Sequence, residues 1–256
     1  MGLTAIAWHV LWSRIFHPDH AFARALWATI YISIVAQAAG VLLGLAAALM
    51  RMSSLRVLRG ISAVYVWIFR GTPVLVQLFY VYFALSWPTL HVLGYTVPDA
   101  AVAAIVALSV NEGAYMREII RAGIDSIEKG QMEAAKSLGM RYGLAMRRII
   151  LPQAARVIVP PLGNEFNNMM KTTSLAYTIG VYELFADAEQ GYSQTFIADY
   201  FIAVAFWYLV LTTVWTFVQA AIERRLARSE RGEELSFRER LVAAWNPVTS
   251  WARGAR

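Results

Sequence analysis

Polar and ionisable side chains recur at helical spacing inside apolar segments of this sequence. Asn111, Tyr115 and Glu118 stand at i, i+4 and i+7, so they share one face of a predicted helix. Ionisable groups inside a long apolar segment usually face the interior of a helix bundle or an aqueous cavity. Charged and amide groups there bind polar solutes through ion pairs and charge-assisted hydrogen bonds. The sequence therefore predicts a polar pathway, whose other candidate lining residues are Arg70, Thr72, Gln77, Glu112, Asn164, Asn168, Lys171 and Ser174.

Two of these residues also have purely structural interpretations. Arg70 lies close to Pro73, so it could be a snorkelling arginine beside a proline kink. Glu118 could form a buried ion pair with Lys171 instead of facing a solute. Both interpretations stay open at the level of sequence.

Composition places the chain among integral membrane proteins. Its 256 residues are 58% hydrophobic, with a mean hydropathy of +0.48, which is more apolar surface than a soluble domain needs. Arginines cluster at the ends of apolar segments, so the net charge of +6 indicates membrane topology and not a nucleic-acid surface. The absence of cysteine excludes disulfides, thiol catalysis and zinc–cysteine sites. His17 and His20 form an isolated pair, so we expect no metal site.

Apolar segments predict an all-α integral membrane protein with about five transmembrane helices. Residues 25–50 carry no charge and exceed the roughly 20 residues that a bilayer core requires. Arginines follow the first and last segments, and the positive-inside rule places these ends in the cytoplasm. The N-terminus is then outside and the C-terminus inside. The remaining spans begin near residues 61, 100, 154 and 199.

The second apolar segment is expected to be broken. The stretch from Pro73 to Trp87 is too short to span a bilayer, so the turn at residues 70–73 must lie partly within the membrane. Residues 87–98 and 176–199 lack lysine and arginine and are the predicted external segments.

The fourth span, residues 154–175, is the least apolar. Its polar side chains share one helical face, which predicts a helix buried in the bundle beside a water-filled path. Pro160 and Pro161 are expected to break this helix.

A charged, glycine-interrupted stretch, QMEAAKSLGMRYGLAMRRIILPQ at residues 131–153, separates two apolar segments. A run of helix formers begins at Glu133, and Gly139 falls where a left-handed cap is least costly. A second helix is expected over residues 140–150, with Pro152 stopping or kinking it.

This stretch resembles the coupling loop of bacterial ABC importer permeases, whose pattern is E-A-A, three residues, G, nine residues, I, any residue, L-P. The resemblance implies that the loop docks as a short cytoplasmic helix on separate ATPase subunits, which would bind ATP and magnesium. The chain itself is then not an enzyme and needs no cofactor. Gly130 to Ser137 lacks the second glycine and the preceding strand of a phosphate-binding loop. The expected coupling residues are Glu133, Ala134, Ala135, Gly139, Arg147, Arg148, Leu151 and Pro152.

Two further segments resemble the polar amino-acid branch of type I ABC importers, which carries solutes such as histidine, arginine, glutamine, glutamate and opines. Arg-Gly-Thr-Pro at residues 70–73 is followed by Val76 and Gln77, and the pattern A-Y-x-x-E before R-x-G-I matches residues 114–124. The family's K-T-S-L segment has one more threonine here, at residues 171–175, which leaves individual roles there open. The resemblance implies import of polar amino acids or related small polar solutes.

The candidate lining residues fit the chemistry of an amino acid. A zwitterion needs an anionic partner for its ammonium group and a cluster of donors for its carboxylate. Glu112 or Glu118 would serve the ammonium group, and Arg70, Asn111 and Thr72 the carboxylate. In a paired permease this subunit could equally be a scaffold. The alternative functions are a permease for a solute other than an amino acid and a passive channel.

The resemblance also implies an assembly and a location. The expected partners are a cytoplasmic ATPase dimer, a second permease subunit that is identical or paralogous, an external solute-binding protein and membrane lipid, but no nucleic acid. The chain would be a multi-pass protein of the bacterial inner membrane. We divide it into an interfacial N-terminal helix (1–24), a transmembrane permease domain (25–222) with its coupling loop (125–152), and a basic cytoplasmic tail (223–256).

Overall fold

Helices make up most of the fold. The computed structural model describes residues 6–92 and 94–227. Most of the predicted tail, residues 228–256, therefore lies outside the described residues. The helices are α1 (Trp8–Phe16), α2 (His20–Met52), α3 (Arg56–Gly71), α4 (Val74–Ala84), α5 (Asp99–Asp125), α6 (Lys129–Ser137), α7 (Tyr142–Ala145), α8 (Leu151–Thr172), α9 (Leu184–Thr195) and α10 (Asp199–Ala227).

A small hairpin interrupts this helical architecture. Strands β1 (Leu90–Val92) and β2 (Tyr95–Val97) pair antiparallel, with Leu90 opposite Val97. Both strands lie in the predicted external segment, on either side of Gly94, whose φ is 84°. The described residues are mostly helical, as predicted, and this hairpin in the predicted loop is a local exception that the sequence did not indicate. Glycine allows the turn that brings two short extended runs together.

Two described helices, α2 and α10, are long and apolar enough to cross a membrane by themselves. Helices α3 and α4 pass the same test only as a pair, across a bend of 105°. This bend confirms the expected break at residues 70–73. Because α5 and α8 carry polar and charged faces, the predicted number of about five spans and the orientation of the termini stay predictions.

The contact between α2 and α5 forms the centre of the bundle. Gly44 on α2 lies against the backbone of α5, where an added Cβ would stand 2.9 Å from the nitrogen of Arg117 and 3.0 Å from the oxygen of Gly113. Small residues allow such close approach, and van der Waals contact drives helix association where lipid offers no hydrophobic gain. Helices α3, α4 and α8 also contact α5, which is thereby held in the middle of the fold.

The prolines expected to interrupt helices are accommodated. Helix α8 continues through Pro160 and Pro161. A π-helical turn, Met146–Ile150, joins α7 to α8, so Pro152 falls in the first turn of α8, where a missing N–H is tolerated. The break predicted at Pro160 and Pro161 is therefore wrong, because local changes of helix geometry and neighbouring helices can compensate for the lost bonds. Pro152 does not stop the helix, and the kink expected there stays a prediction. Helical residues therefore follow one another without a gap from Tyr142 to Thr172.

The predicted external stretch after α8 is folded onto the bundle. A 3-10 segment, Thr173–Ile179, precedes α9, and Glu183 between them is fully buried. Its carboxylate accepts hydrogen bonds from the Ala186 N–H at 2.9 Å and from the Tyr208 hydroxyl at 2.8 Å. This segment therefore belongs to the packed structure, since its buried carboxylate is bonded to neighbouring elements.

Candidate functional site

A cavity of about 650 Å³ lies between the α3–α4 bend, α5 and the C-terminal half of α8. Its volume falls within the range of about 300–1,000 Å³ that is usual for small-molecule sites. The helix bend and the polar faces of α5 and α8 thus converge on one space. The predicted pathway residues that line it are Arg70, Thr72, Asn111, Glu112, Tyr115, Asn168 and Lys171.

The other predicted pathway residues make contacts elsewhere. Gln77 is buried against the backbone of the bend. Asn164 faces α10, where its side-chain oxygen accepts a hydrogen bond from Gln219 at 3.2 Å. The Ser174 hydroxyl donates to the carbonyl of Lys171 at 2.7 Å.

Sequence reasoning missed Glu165 and Thr172, which also line the cavity. Together with Asn168 they stand at i, i+3 and i+7 on one face of α8. The predicted polar face began at Asn164, one residue earlier. The predicted face contained Asn168 and Lys171, which do line the cavity, but it left out their neighbours Glu165 and Thr172 on the same side of α8.

An amide pair fixes the bend between α3 and α4. The Gln77 side-chain nitrogen donates to the carbonyl of Phe69 at 3.0 Å, to the carbonyl of Thr72 at 3.1 Å and to the Thr72 hydroxyl at 2.8 Å. The Asn111 nitrogen donates to the Phe69 carbonyl and to the Gln77 side-chain oxygen, both at 3.0 Å. The last carbonyls of a helix have no partner within the helix. The amides from α4 and α5 supply partners for them and hold the bend in place.

This amide pair limits what Asn111 and Thr72 can offer a solute. Both amide hydrogens of Asn111 are engaged, and the Thr72 hydroxyl donates to the Ile68 carbonyl at 2.8 Å. An amide has two donor hydrogens and a hydroxyl has one, so neither side chain retains a donor for a carboxylate. Of the predicted carboxylate donors Arg70 remains, and Lys171 of α8 is a further cation on the cavity wall.

The charged groups of the cavity are held in different ways. The Arg70 guanidinium lies over the Tyr115 ring, 5.1 Å from its centroid, in a cation–π contact. Glu112 is buried and accepts a hydrogen bond from Gln37 of α2 at 3.0 Å. Glu165 of α8 is a second carboxylate on the cavity wall. In residues 6–92 and 94–227, no group of three or more His, Cys, Asp or Glu side chains is placed to hold a metal ion.

Glu118 lies outside the cavity, although it was predicted to share the face of Asn111 and Tyr115. It pairs with Arg117, and with Arg121 at 3.3 Å. The predicted alternative, an ion pair with Lys171, is therefore wrong, because two arginines of α5 itself are closer partners.

The coupling loop has a well-defined turn after α6. Gly139 has a φ of 78°, as expected for a left-handed cap. Its N–H donates to the Lys136 carbonyl at 2.9 Å, and the Met140 N–H donates to the Ala135 carbonyl at 3.1 Å. These two bonds define a Schellman motif, which satisfies carbonyls at the end of the helix. Ala135 is buried, whereas Glu133, Ala134, Arg147, Arg148, Leu151 and Pro152 are exposed.

A hydrophobic cluster fastens the loop to the two helices that line the cavity. Ile124 at the end of α5 and Ile150 before α8 are buried together, and Met132 and Met146 of the loop pack against them. The opposite surface of the loop exposes apolar side chains, with Leu138 82% and Tyr142 57% accessible. The loop thus has one side fixed to α5 and α8 and one side open to a partner.

Known proteins resemble the chain over most of its length. Residues 40–228 match the family described as binding-protein-dependent transport system inner membrane component. An arginine transport system permease protein of Corynebacterium glutamicum is 38% identical, covering 94% of this chain and 77% of its own length. An L-cystine transport system permease protein of Bacillus subtilis is 41% identical, covering 88% and 93%. A solved structure of an amino acid ABC transporter with histidines matches with a TM-score of 0.71 at 39% identity, covering 80% of this chain and 94% of that one. The chain therefore belongs to the family of inner membrane components of binding-protein-dependent transport systems.

Proposed function

We propose that the chain is the transmembrane subunit of an ATP-driven importer for polar amino acids or closely related polar solutes. The observation that carries the proposal is the direct packing of the coupling loop on α5 and α8, both of which line the charged cavity. A displacement of the loop would move two cavity walls, because packed cores transmit displacement instead of absorbing it. This connection is what coupling of solute transport to a motor requires.

The exposed side of the loop supports docking of a cytoplasmic ATPase dimer, which would hold ATP and magnesium. Leu138, Tyr142 and Leu144 are 82%, 57% and 46% exposed. Apolar side chains clustered on a charged loop indicate a protein partner. Arg147 and Arg148 flank them and would pair with acidic groups of that partner. ATP hydrolysis then takes place in the ATPase, and this chain supplies the path.

The remaining parts of the proposal follow from family membership and chemistry. The chain would lie in the bacterial inner membrane, with about five spans, an external N-terminus and a cytoplasmic C-terminus. A second permease subunit, identical or paralogous, would complete the path, and an external solute-binding protein would deliver the solute. The similarity to permeases named for arginine and L-cystine supports an amino acid as the solute.

Reconstituted transport tests the proposal. The chain is purified with its partner subunits, placed in liposomes that contain ATP, and supplied with the solute-binding protein and a panel of labelled amino acids. Uptake that needs both ATP and the binding protein supports the importer. Flux without ATP would indicate a channel. Active ATP hydrolysis without uptake of any panel member would indicate a permease for another kind of solute.

A further inference from the structure

The charges on the cavity wall balance. Arg70 and Lys171 contribute two positive charges, and Glu112 and Glu165 contribute two negative charges, so the formal charge of the lining is zero. The acids and the cations come from the α3–α4 bend, α5 and α8. The fold therefore brings together two positive and two negative side chains from distant parts of the chain.

The four charged side chains of the cavity do not form ion pairs with one another in the described part of the chain. The ion pairs of α5 instead join Glu118 to Arg117 and Arg121. Arg70 contacts the ring of Tyr115, and Glu112 has a neutral partner in Gln37. Charges inside a membrane protein are costly without a partner of opposite sign. The cavity thus offers unpaired cations and unpaired carboxylates to whatever enters it.

We infer that the cavity selects a solute of zero net charge that carries both a carboxylate and an ammonium group, and discriminates against amino acids with a charged side chain. This inference rests on the proposed import of amino acids. A neutral zwitterion leaves the filled cavity with no net charge. A cationic or anionic amino acid would leave one uncompensated charge in a region of low dielectric, which is unfavourable.

The positions of the charges give the orientation of the bound solute. Glu112 and Glu165 both line the cavity, so an ammonium group of a solute would be held by their carboxylates. The carboxylate must then be held by Arg70 and Lys171, because the amide of Asn111 and the hydroxyl of Thr72 have no donor hydrogen left.

Matched pairs of amino acids test this selection. Glutamine and glutamate differ by one charge at nearly equal size, and so do citrulline and arginine. Binding of each labelled compound is measured on the purified permease–ATPase complex in nanodiscs, without the solute-binding protein, whose own selectivity would otherwise contribute. We expect glutamine to bind more tightly than glutamate, and citrulline more tightly than arginine, by about tenfold or more. Equal affinity within both pairs, or tighter binding of the charged member, would overturn the inference.

Two variants reverse the selection. Glu165→Gln gives the cavity one excess positive charge, so glutamate should now bind more tightly than glutamine. Lys171→Gln gives it one excess negative charge, so arginine should bind more tightly than citrulline. Arg24→Gln removes an exposed charge of α2 outside the cavity and should keep the wild-type order. An unchanged order in both cavity variants would contradict the inference.

The outcomes separate this inference from the proposed function. Transport of amino acids without regard to side-chain charge would overturn only the selection for neutral solutes. Failure to bind or transport any of these amino acids, with the ATPase bound and active, would overturn both.

Discussion

The side-chain nitrogen of Asn111 on α5 donates a hydrogen bond to the side-chain oxygen of Gln77 on α4 at 3.0 Å. The bond joins the central helix to the first turn beyond the 105° bend. Both residues also bond to the carbonyl of Phe69 at the end of α3. The cavity wall at the bend is therefore held by three helices together.

Replacing Gln77 should loosen the bend. Gln77→Met keeps the approximate size of the side chain but leaves the carbonyls of Phe69 and Thr72 with fewer partners. A buried polar group without its partner costs about 1–3 kcal/mol, so we expect a lower thermal midpoint in detergent. Gln190→Met, at an exposed position of α9, should leave the midpoint unchanged. Equal midpoints for the two variants would show that the amide contacts do not stabilise the bend.

A side chain at Gly44 should separate α2 from α5. The Cβ of Gly44→Ala would meet backbone atoms of Arg117 and Gly113 within 3.0 Å, and backbone cannot move aside as a flexible side chain can. Overpacking of this kind costs about 1–3 kcal/mol. Gly60→Ala is the matched control, since it lies in α3 with no atom within 4 Å of the added Cβ. It should be neutral or stabilising by about 0.5–1 kcal/mol, and thermal unfolding of both variants decides the point.

Conformation, not space, should limit substitution at Gly139. An added Cβ meets nothing within 4 Å at Gly139 or at Gly143, but only Gly139 has a positive φ. An alanine in that conformation costs about 1–2 kcal/mol, enough to change a two-state population about fivefold or more. We therefore expect Gly139→Ala to lower ATP-driven uptake by about that factor, with normal amounts of protein in the membrane. Gly143→Ala should transport normally, and Gly139→Asn should lie between them, because asparagine tolerates this conformation better. Loss of uptake in Gly143→Ala alone would contradict the explanation.

Asp19 should make the start of α2 sensitive to acid. Its carboxylate caps the helix by accepting a hydrogen bond from the N–H of Phe22 at 2.8 Å, and this bond lowers the pKa of the carboxyl below its usual value of 3.8. A carboxyl with a lowered pKa stabilises the fold above its unfolded pKa, and the stabilisation is lost as the pH falls through the folded pKa.

The matching experiment compares the thermal midpoints of wild type, Asp19→Asn and Asp19→Ala at about pH 7, pH 5 and pH 3. Asparagine caps a helix about as well as aspartate, so Asp19→Asn should resemble wild type at neutral pH, whereas Asp19→Ala should lose about 1 kcal/mol. Between about pH 5 and pH 3, wild type should lose more stability than Asp19→Asn. An identical loss in both would mean that the carboxylate does not contribute through its charge.

Local sequence signals predicted the parts of the fold that depend on local conformation. Gly139 was placed in a left-handed cap because the chain must turn after a short helix, and the turn is there. The polar faces of α5 and α8 were found from their periodicity, and most of those residues line the cavity. The break near residues 70–73 followed from segment length.

Tertiary contacts decided what the sequence did not predict. Gln77 was expected in the pathway, but its partners are carbonyls that exist as free acceptors only because α3 ends where it does. Glu118 shares a helical face with Tyr115, yet its neighbours Arg117 and Arg121 provide its ion pairs. Proline usually interrupts a helix, but α8 stays helical through Pro160, because the surrounding helices compensate for the lost backbone hydrogen bond.

The cavity has a fixed hydrogen-bond acceptor, Glu112, and two flexible donors, the side chains of Arg70 and Lys171. Glu112 is buried and tied to α2 through Gln37, so the acceptor side is preorganised. Arg70 and Lys171 are exposed on long side chains, and ordering such a side chain costs up to about 2 kcal/mol. The ammonium group of a solute would therefore be fixed in position by Glu112. The side chains of Arg70 and Lys171, which hold its carboxylate, could follow the solute as the helices move. Release of the solute would then require only that the side chains of Arg70 and Lys171 move away, while Glu112 keeps its hydrogen bond to Gln37.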